Sequence, residues 1–167
     1  MHTDDTRRAY ADFIDAAQRG HFQRPTQPGW DAEMVLAHVI VGDRLIAEAA
    51  AKVITGAPVH FDNLASQSEP YLRAVVAAAG DWQGLVATLK RGGEELAGVI
   101  DSLTPEQLAT PIPCRIVSDN AVVIDAPFPL QNLVRVPADT HLRMHMQQLA
   151  ALTGGTEARQ VAPASSA

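Results

Sequence analysis

Between Asp31 and Gly56 the chain carries an apolar row at helical spacing, Met34, His38, Val41, Leu45 and Ala49. Residues three and four apart share one helix face, so this segment is predicted to be an amphipathic helix that buries the row. One member of the row is a histidine. A buried imidazole needs partners for its ring nitrogens. Whatever packs on this helix must therefore bring polar atoms or a metal with it. The ends are equally well marked. Asp31 can accept the free N–H groups of the first turn. Trp30 and Val35 fit a hydrophobic staple around it. Gly56 and Pro58 stop the helix near Thr55.

Three more segments repeat the helical pattern. Residues 6–19 place Tyr10, Phe13, Ile14 and Ala17 on one face, ending at Gly20 and the loop Pro25-Thr26-Gln27-Pro28-Gly29. Asp81 caps a helix over 82–103 with a stripe of Leu85, Leu89, Leu96, Val99 and Leu103. Gly92-Gly93 weakens it by about 1 kcal/mol per glycine, which points to close approach by a neighbour. The last stripe runs through Leu130, Leu133, Val134, Pro137, Ala138, His141, His145, Leu149 and Leu152. An interior proline costs roughly 3 kcal/mol. Either this helix kinks at Pro137, or one helix ends there and another begins. Gly154-Gly155 closes it, and the tail beyond has no periodicity.

Shorter elements lie between. A short helix over 69–79 follows a Ser68 cap. Thr104-Pro105-Glu106-Gln107 is a capping box. Residues 112–117 and 121–125 are β-rich and flank Ser118-Asp119-Asn120, which reads as a small hairpin. Four amphipathic helices with a long middle crossover give an all-α four-helix bundle, with that hairpin between the third and fourth helices.

Composition narrows the function classes. The net charge is −6, with no clustered Lys and Arg to form a nucleic-acid footprint. No apolar run reaches the roughly 18 residues that span a bilayer, and the start of the chain shows no signal peptide. A single cysteine, Cys114, excludes an internal disulfide and a cysteine-based zinc site. It reads as a small buried apolar residue. The expected compartment is the cytoplasm.

Of the six histidines, His2, His21 and His60 fall in a terminus and loops. The other three lie on inward stripes. His141 and His145 are four apart, so their rings project from one helix face about a turn apart. With His38 they form a candidate metal-ligating set, the alternative being a dense polar network in the core. Three imidazoles leave a fourth position open, the arrangement of catalytic zinc. Rival motifs fail. His141-Leu142-Arg143-Met144-His145 lacks the glutamate of a zinc protease. No Glu-x-x-His pair supports a di-iron site. No Gly-rich phosphate loop or nucleophile elbow is present.

Two stretches carry a family resemblance. Trp30-Asp31-Ala32-Glu33-Met34-Val35-Leu36-Ala37-His38 resembles the second-helix signature of the DinB-like superfamily. His141-Leu142-Arg143-Met144-His145-Met146-Gln147-Gln148-Leu149 resembles its last-helix signature, His-x-x-x-His-x-x-Gln-Leu. Phe61-Asp62-Asn63 is similar to a short motif of the mycothiol-dependent maleylpyruvate isomerase branch. The resemblance implies an up-down-down-up bundle, here over residues 1–153, and the tail over 154–167, lacking periodicity, is expected to be flexible. It implies a divalent metal, zinc or nickel, on His38, His141 and His145. It also implies a low-molecular-weight thiol, such as mycothiol or bacillithiol, as co-substrate, and it makes a homodimer the expected assembly, with Gly92-Gly93 as a packing point.

The expected function is a metal-dependent thiol transferase or isomerase acting on a small electrophilic substrate. Two alternatives stand beside it. One is a metal-dependent hydrolase, and the other a non-catalytic bundle that binds a small molecule or metal.

Overall fold

The long apolar row becomes a helix capped as its sequence requires. Asp31 Oδ1 accepts the Met34 N–H at 2.9 Å, and Gly56 closes the helix at φ 67°, a left-handed conformation that glycine adopts without a Cβ clash. The structure, a computed structural model, describes residues 3–118 and 121–153. In chain order its elements are α1 (Asp4–Arg19), α2 (Ala32–Thr55), β1 (Phe61–Asp62), α3 (Leu64–Gln67), α4 (Glu69–Ala79), α5 (Trp82–Asp101), α6 (Pro105–Ala109), β2 (Pro111–Ser118), β3 (Ala121–Pro129), α7 (Leu130–Val136), a π-helical turn (Pro137–His141) and α8 (Leu142–Ala151).

The protein is mostly helical, with one small sheet. Helices α1, α2, α5 and the run from α7 to α8 pack on one another. They share one aliphatic core, to which Phe13, Leu36, Leu89, Leu96, Leu133 and Leu149 contribute fully buried side chains. The close approach anticipated at Gly92-Gly93 is found at Gly93. A Cβ there would lie 2.6 Å from Cδ1 of Tyr10 on α1, while Gly92 has open space beside it. Gly93 thus packs within the chain, which removes it as a packing point for a second copy. Among the described residues no helix is long and apolar enough to cross a membrane.

Pro137 neither breaks the last helix nor leaves it a plain α-helix. Its own φ and ψ are −55° and −51°, so it continues the helical path. It has no N–H to return to Leu133. The backbone instead winds a π turn, in which the Leu142 N–H bonds back to the Pro137 carbonyl. A π turn holds one residue more than an α turn. The buried row therefore steps from Pro137 to Leu142, and Leu142, absent from the predicted stripe, is 1% exposed. Ala138, predicted inside, is half-buried.

The hairpin forms, but its strands are longer than expected. Strand β2 pairs antiparallel with β3 from Pro111↔Pro129 to Ser118↔Ala121, with a register shift between Ile116 and Val117. The turn residues Asp119 and Asn120 lie outside the described residues, as do Gly154-Gly155 and the tail. A third strand, β1, pairs parallel with β2 through Phe61↔Cys114 and Asp62↔Arg115, so the fold class is helical with a three-stranded sheet rather than a lone hairpin. The Thr104–Gln107 capping box is present in both its bonds. Helix α4 starts at the predicted place, yet the Ser68 side chain makes no capping bond. Pro70 in its first turn presets the helical φ instead.

Candidate metal centre

His38 comes from α2, His141 closes the π turn and His145 lies in the first turn of α8. The fold brings all three together. Their ligand atoms lie within 4.8 Å of one another, and the ring centroids are 5.0, 4.7 and 4.5 Å apart. His38 and His145 are buried, and His141 is half-buried.

The tautomers follow from the outer partners. His38 Nδ1 lies 2.7 Å from the Ser66 carbonyl oxygen. A carbonyl only accepts, so Nδ1 carries the proton and the Nε2 lone pair faces inward. Ser66 can serve because it lies near the end of a four-residue helix, where the last carbonyls find no partner further along the helix. His145 Nδ1 donates to Gln148 Oε1 at 2.9 Å, one turn on along α8. Its Nε2 is buried with no hydrogen-bond partner. His38 Nε2 and His141 Nε2 are 2.9 Å apart. The Trp30 ring closes the other side of His38 at a centroid distance of 4.8 Å.

Burial keeps these rings neutral. It drives the His38 pKa down to about 4, against a smaller opposing pull from the Ser66 carbonyl and with His145 adding to the fall. Burial and the two neighbouring histidines take His141 down to about 3. His145 is lowered too, mainly by burial. Neutral imidazoles are the metal-binding form. A tetrahedral ion with zinc–nitrogen bonds of 2.0–2.1 Å would set nitrogens about 3.3 Å apart. The distances here bracket that value, and the orphaned His145 Nε2 needs a partner. The residues present fit a divalent ion.

Beside the histidines lies a cavity of about 200 Å3, with His38 and His141 in its wall. Asn63 also lines it. The Asn63 amide donates to the Val117 carbonyl at 2.9 Å and accepts the Val117 N–H at 2.8 Å. With its side chain Asn63 extends the pairing that β1 makes with β2, and so fixes β2 against the start of α3.

The remaining sequence candidates lie elsewhere. His21 and His60 are exposed and outside the cluster, and His2 is outside the described residues. Cys114 is buried in β2, and burial, with Asp62 adding to it, raises its thiol pKa. That makes it a poor nucleophile. Sequence reasoning missed three supporting residues. Gln148 and Asn63 stood inside quoted motifs without a role. Ser66 contributes a backbone carbonyl, for which no side-chain signal exists.

A second buried polar pair also went unnoticed. Asp43 on α2 is 2% exposed. Neither its oxygens nor the Tyr10 hydroxyl makes a hydrogen bond of good geometry. Burial raises the Asp43 pKa to about 7, the nearby Tyr10 hydroxyl pulling it slightly down. The available signal was an acid placed directly after the apolar run from Val39 to Gly42.

No curated protein and no solved structure matches the chain. A family does, over residues 3–115. The matched stretch includes Trp30, His38 and Phe61-Asp62-Asn63, and ends before His141 and His145, whose place in the cluster rests on the geometry above. The chain belongs to the family of the mycothiol maleylpyruvate isomerase N-terminal domain, a member of the DinB-like superfamily.

Proposed function

We propose that this protein is a metal-dependent thiol transferase or isomerase that joins a low-molecular-weight thiol, of the mycothiol or bacillithiol type, to a small electrophile. The observation that carries the reading is the convergence of three neutral imidazoles, two with tautomers set from outside, beside a small cavity whose wall includes His38 and His141. His38, His141 and His145 would hold the ion, zinc or nickel. When bound, it supplies positive charge at an open position, which favours the thiolate form of a thiol sulfur.

The chain's own groups do the rest. The Ser66 carbonyl and Gln148 keep protons on the outer nitrogens of His38 and His145, so the inner lone pairs stay available. Trp30 shields His38 from water. The apolar cavity wall orients the electrophile and excludes bulk solvent. Cys114 has no part in this scheme. The same reading carries the up-down-down-up helix order, one bundle domain over residues 1–153 with a tail beyond, a cytoplasmic setting, and a homodimer.

The test combines metal analysis with a thiol titration. Protein purified without chelators is expected to carry about one divalent ion per chain. After replacement by cobalt, mycothiol or bacillithiol is expected to give a sulfur-to-cobalt band in the near ultraviolet. No band with either thiol, while cobalt occupies the site, would remove the thiol reading. Turnover without thiol would then favour a hydrolase, and no turnover a binding module.

A further inference from the structure

We propose that the cavity beside the histidines takes a small electrophile that is neutral and carbonyl-bearing, and does not take a dicarboxylate. This rests on the proposed function only in treating the cavity as the substrate's place. At about 200 Å3 it lies below the roughly 300–1,000 Å3 typical of pockets for drug-sized ligands. Its wall is largely apolar, built from Ile46, Phe61, Ile116, Val117, Leu133 and Val136. In a regular strand successive residues face opposite sides. The register shift between Ile116 and Val117 lets both reach the same cavity, doubling the aliphatic surface that β2 gives it.

Among the described residues no lysine or arginine lines this space. Arg115, next to Ile116 in the chain, lies 3.7 Å from the Asp62 carboxylate. Two of the polar wall groups, Asn63 and Ser66, are engaged in the fold itself. Both ends of the Asn63 amide hold Val117, and the Ser66 hydroxyl donates to the Asn63 carbonyl. Gln67 also lines the cavity and offers a neutral amide that can donate to one carbonyl oxygen. A carboxylate entering such a wall loses its hydration without gaining a cation. An ion held by the histidines can meet one carboxylate. The second carboxylate of a diacid would find no counter-charge.

The experiment uses two unreactive probes of similar size, N-ethylsuccinimide and succinate. Each is titrated into the protein as purified, and binding is followed through the methyl resonances of Val117 and Val136. The imide is expected to bind about tenfold or more tightly than succinate. Met144 stands at the rim of the cavity and is 56% exposed, so Met144→Arg adds a cation without disturbing the core. That variant is expected to gain roughly tenfold for succinate and to change little for the imide. Equal or tighter binding of succinate by the wild type would overturn the proposal. So would no shift of the cavity methyls with either probe, or no gain for succinate in Met144→Arg. The readout needs neither thiol nor turnover, so a negative cobalt titration with a clear imide preference would sink the thiol reading alone.

Discussion

At the scale of single residues, the three histidines differ in how firmly they are held. His38 and His145 each have an outer hydrogen bond, while His141 Nδ1 is buried without one. His38→Ala and His145→Ala are each expected to lose the metal yet stay folded, at a cost of about 0.5–3 kcal/mol. Metal content and denaturant unfolding check this together. Gln148→Leu keeps all three ligands but frees the His145 ring, so metal affinity is expected to drop about 10–100-fold, read by competition with a chelator. Asp43 gives the pH dependence. Its pKa is raised by burial from 3.8 to about 7. Between those values the folded chain holds a proton that the unfolded chain releases. Stability from this group is therefore complete below about pH 4 and is lost as pH rises to about 7, at up to roughly 1.4 kcal/mol per pH unit. Denaturation at pH 5 and pH 8 is expected to show a steeper fall in the wild type than in Asp43→Asn. His38, His141 and His145 were readable as candidates because inward stripes are a local pattern. Ser66 was not, because a backbone carbonyl has no residue type to announce it.

At the scale of elements, Asn63 is the joint between the helices and the sheet. Asn63→Ala leaves the Val117 N–H and carbonyl unpaired, with an expected loss of about 1–3 kcal/mol. Because the joint shapes the cavity rather than the histidines, the variant is expected to keep its metal and to lose affinity for the electrophile, visible as a raised KM at nearly constant metal content. The helices were legible because their signals are local. Asp31, Asp81 and Thr104 make the capping bonds that their positions require. Strand β1 was not legible. It has two residues, and its partner in β2 lies some fifty positions further along the chain, so no local pattern records it. The π turn escaped for a different reason. A stripe read at steps of three and four cannot show a step of five, and only the absent N–H of Pro137 hinted that the winding would change.

At the scale of the whole molecule, the ion would sit within an aliphatic core that closes without it. Chelation is therefore expected to lower Tm while leaving the far-ultraviolet circular dichroism unchanged. Metal at about a hundred times its Kd would restore about 2.7 kcal/mol by mass action. Unfolding on chelation would instead mean that the histidine cluster cannot be tolerated empty. The family was legible from Trp30 through His38 and Phe61-Asp62-Asn63. The relative placement of the histidine-bearing elements was not, since it depends on packing between distant segments.

That distance has a consequence for how the protein is made. His38 and His141 are 103 positions apart, and everything between them must be threaded into place before the two rings meet. On a ribosome the first ligand emerges long before the other two, so a half-synthesised chain offers an ion one imidazole and little reason to stay. Ion capture would thus report the arrival of the last helix. Any cellular step that loaded a metal would act on a chain that had already folded, and a nascent chain halted before Pro137 would leave it nothing to load.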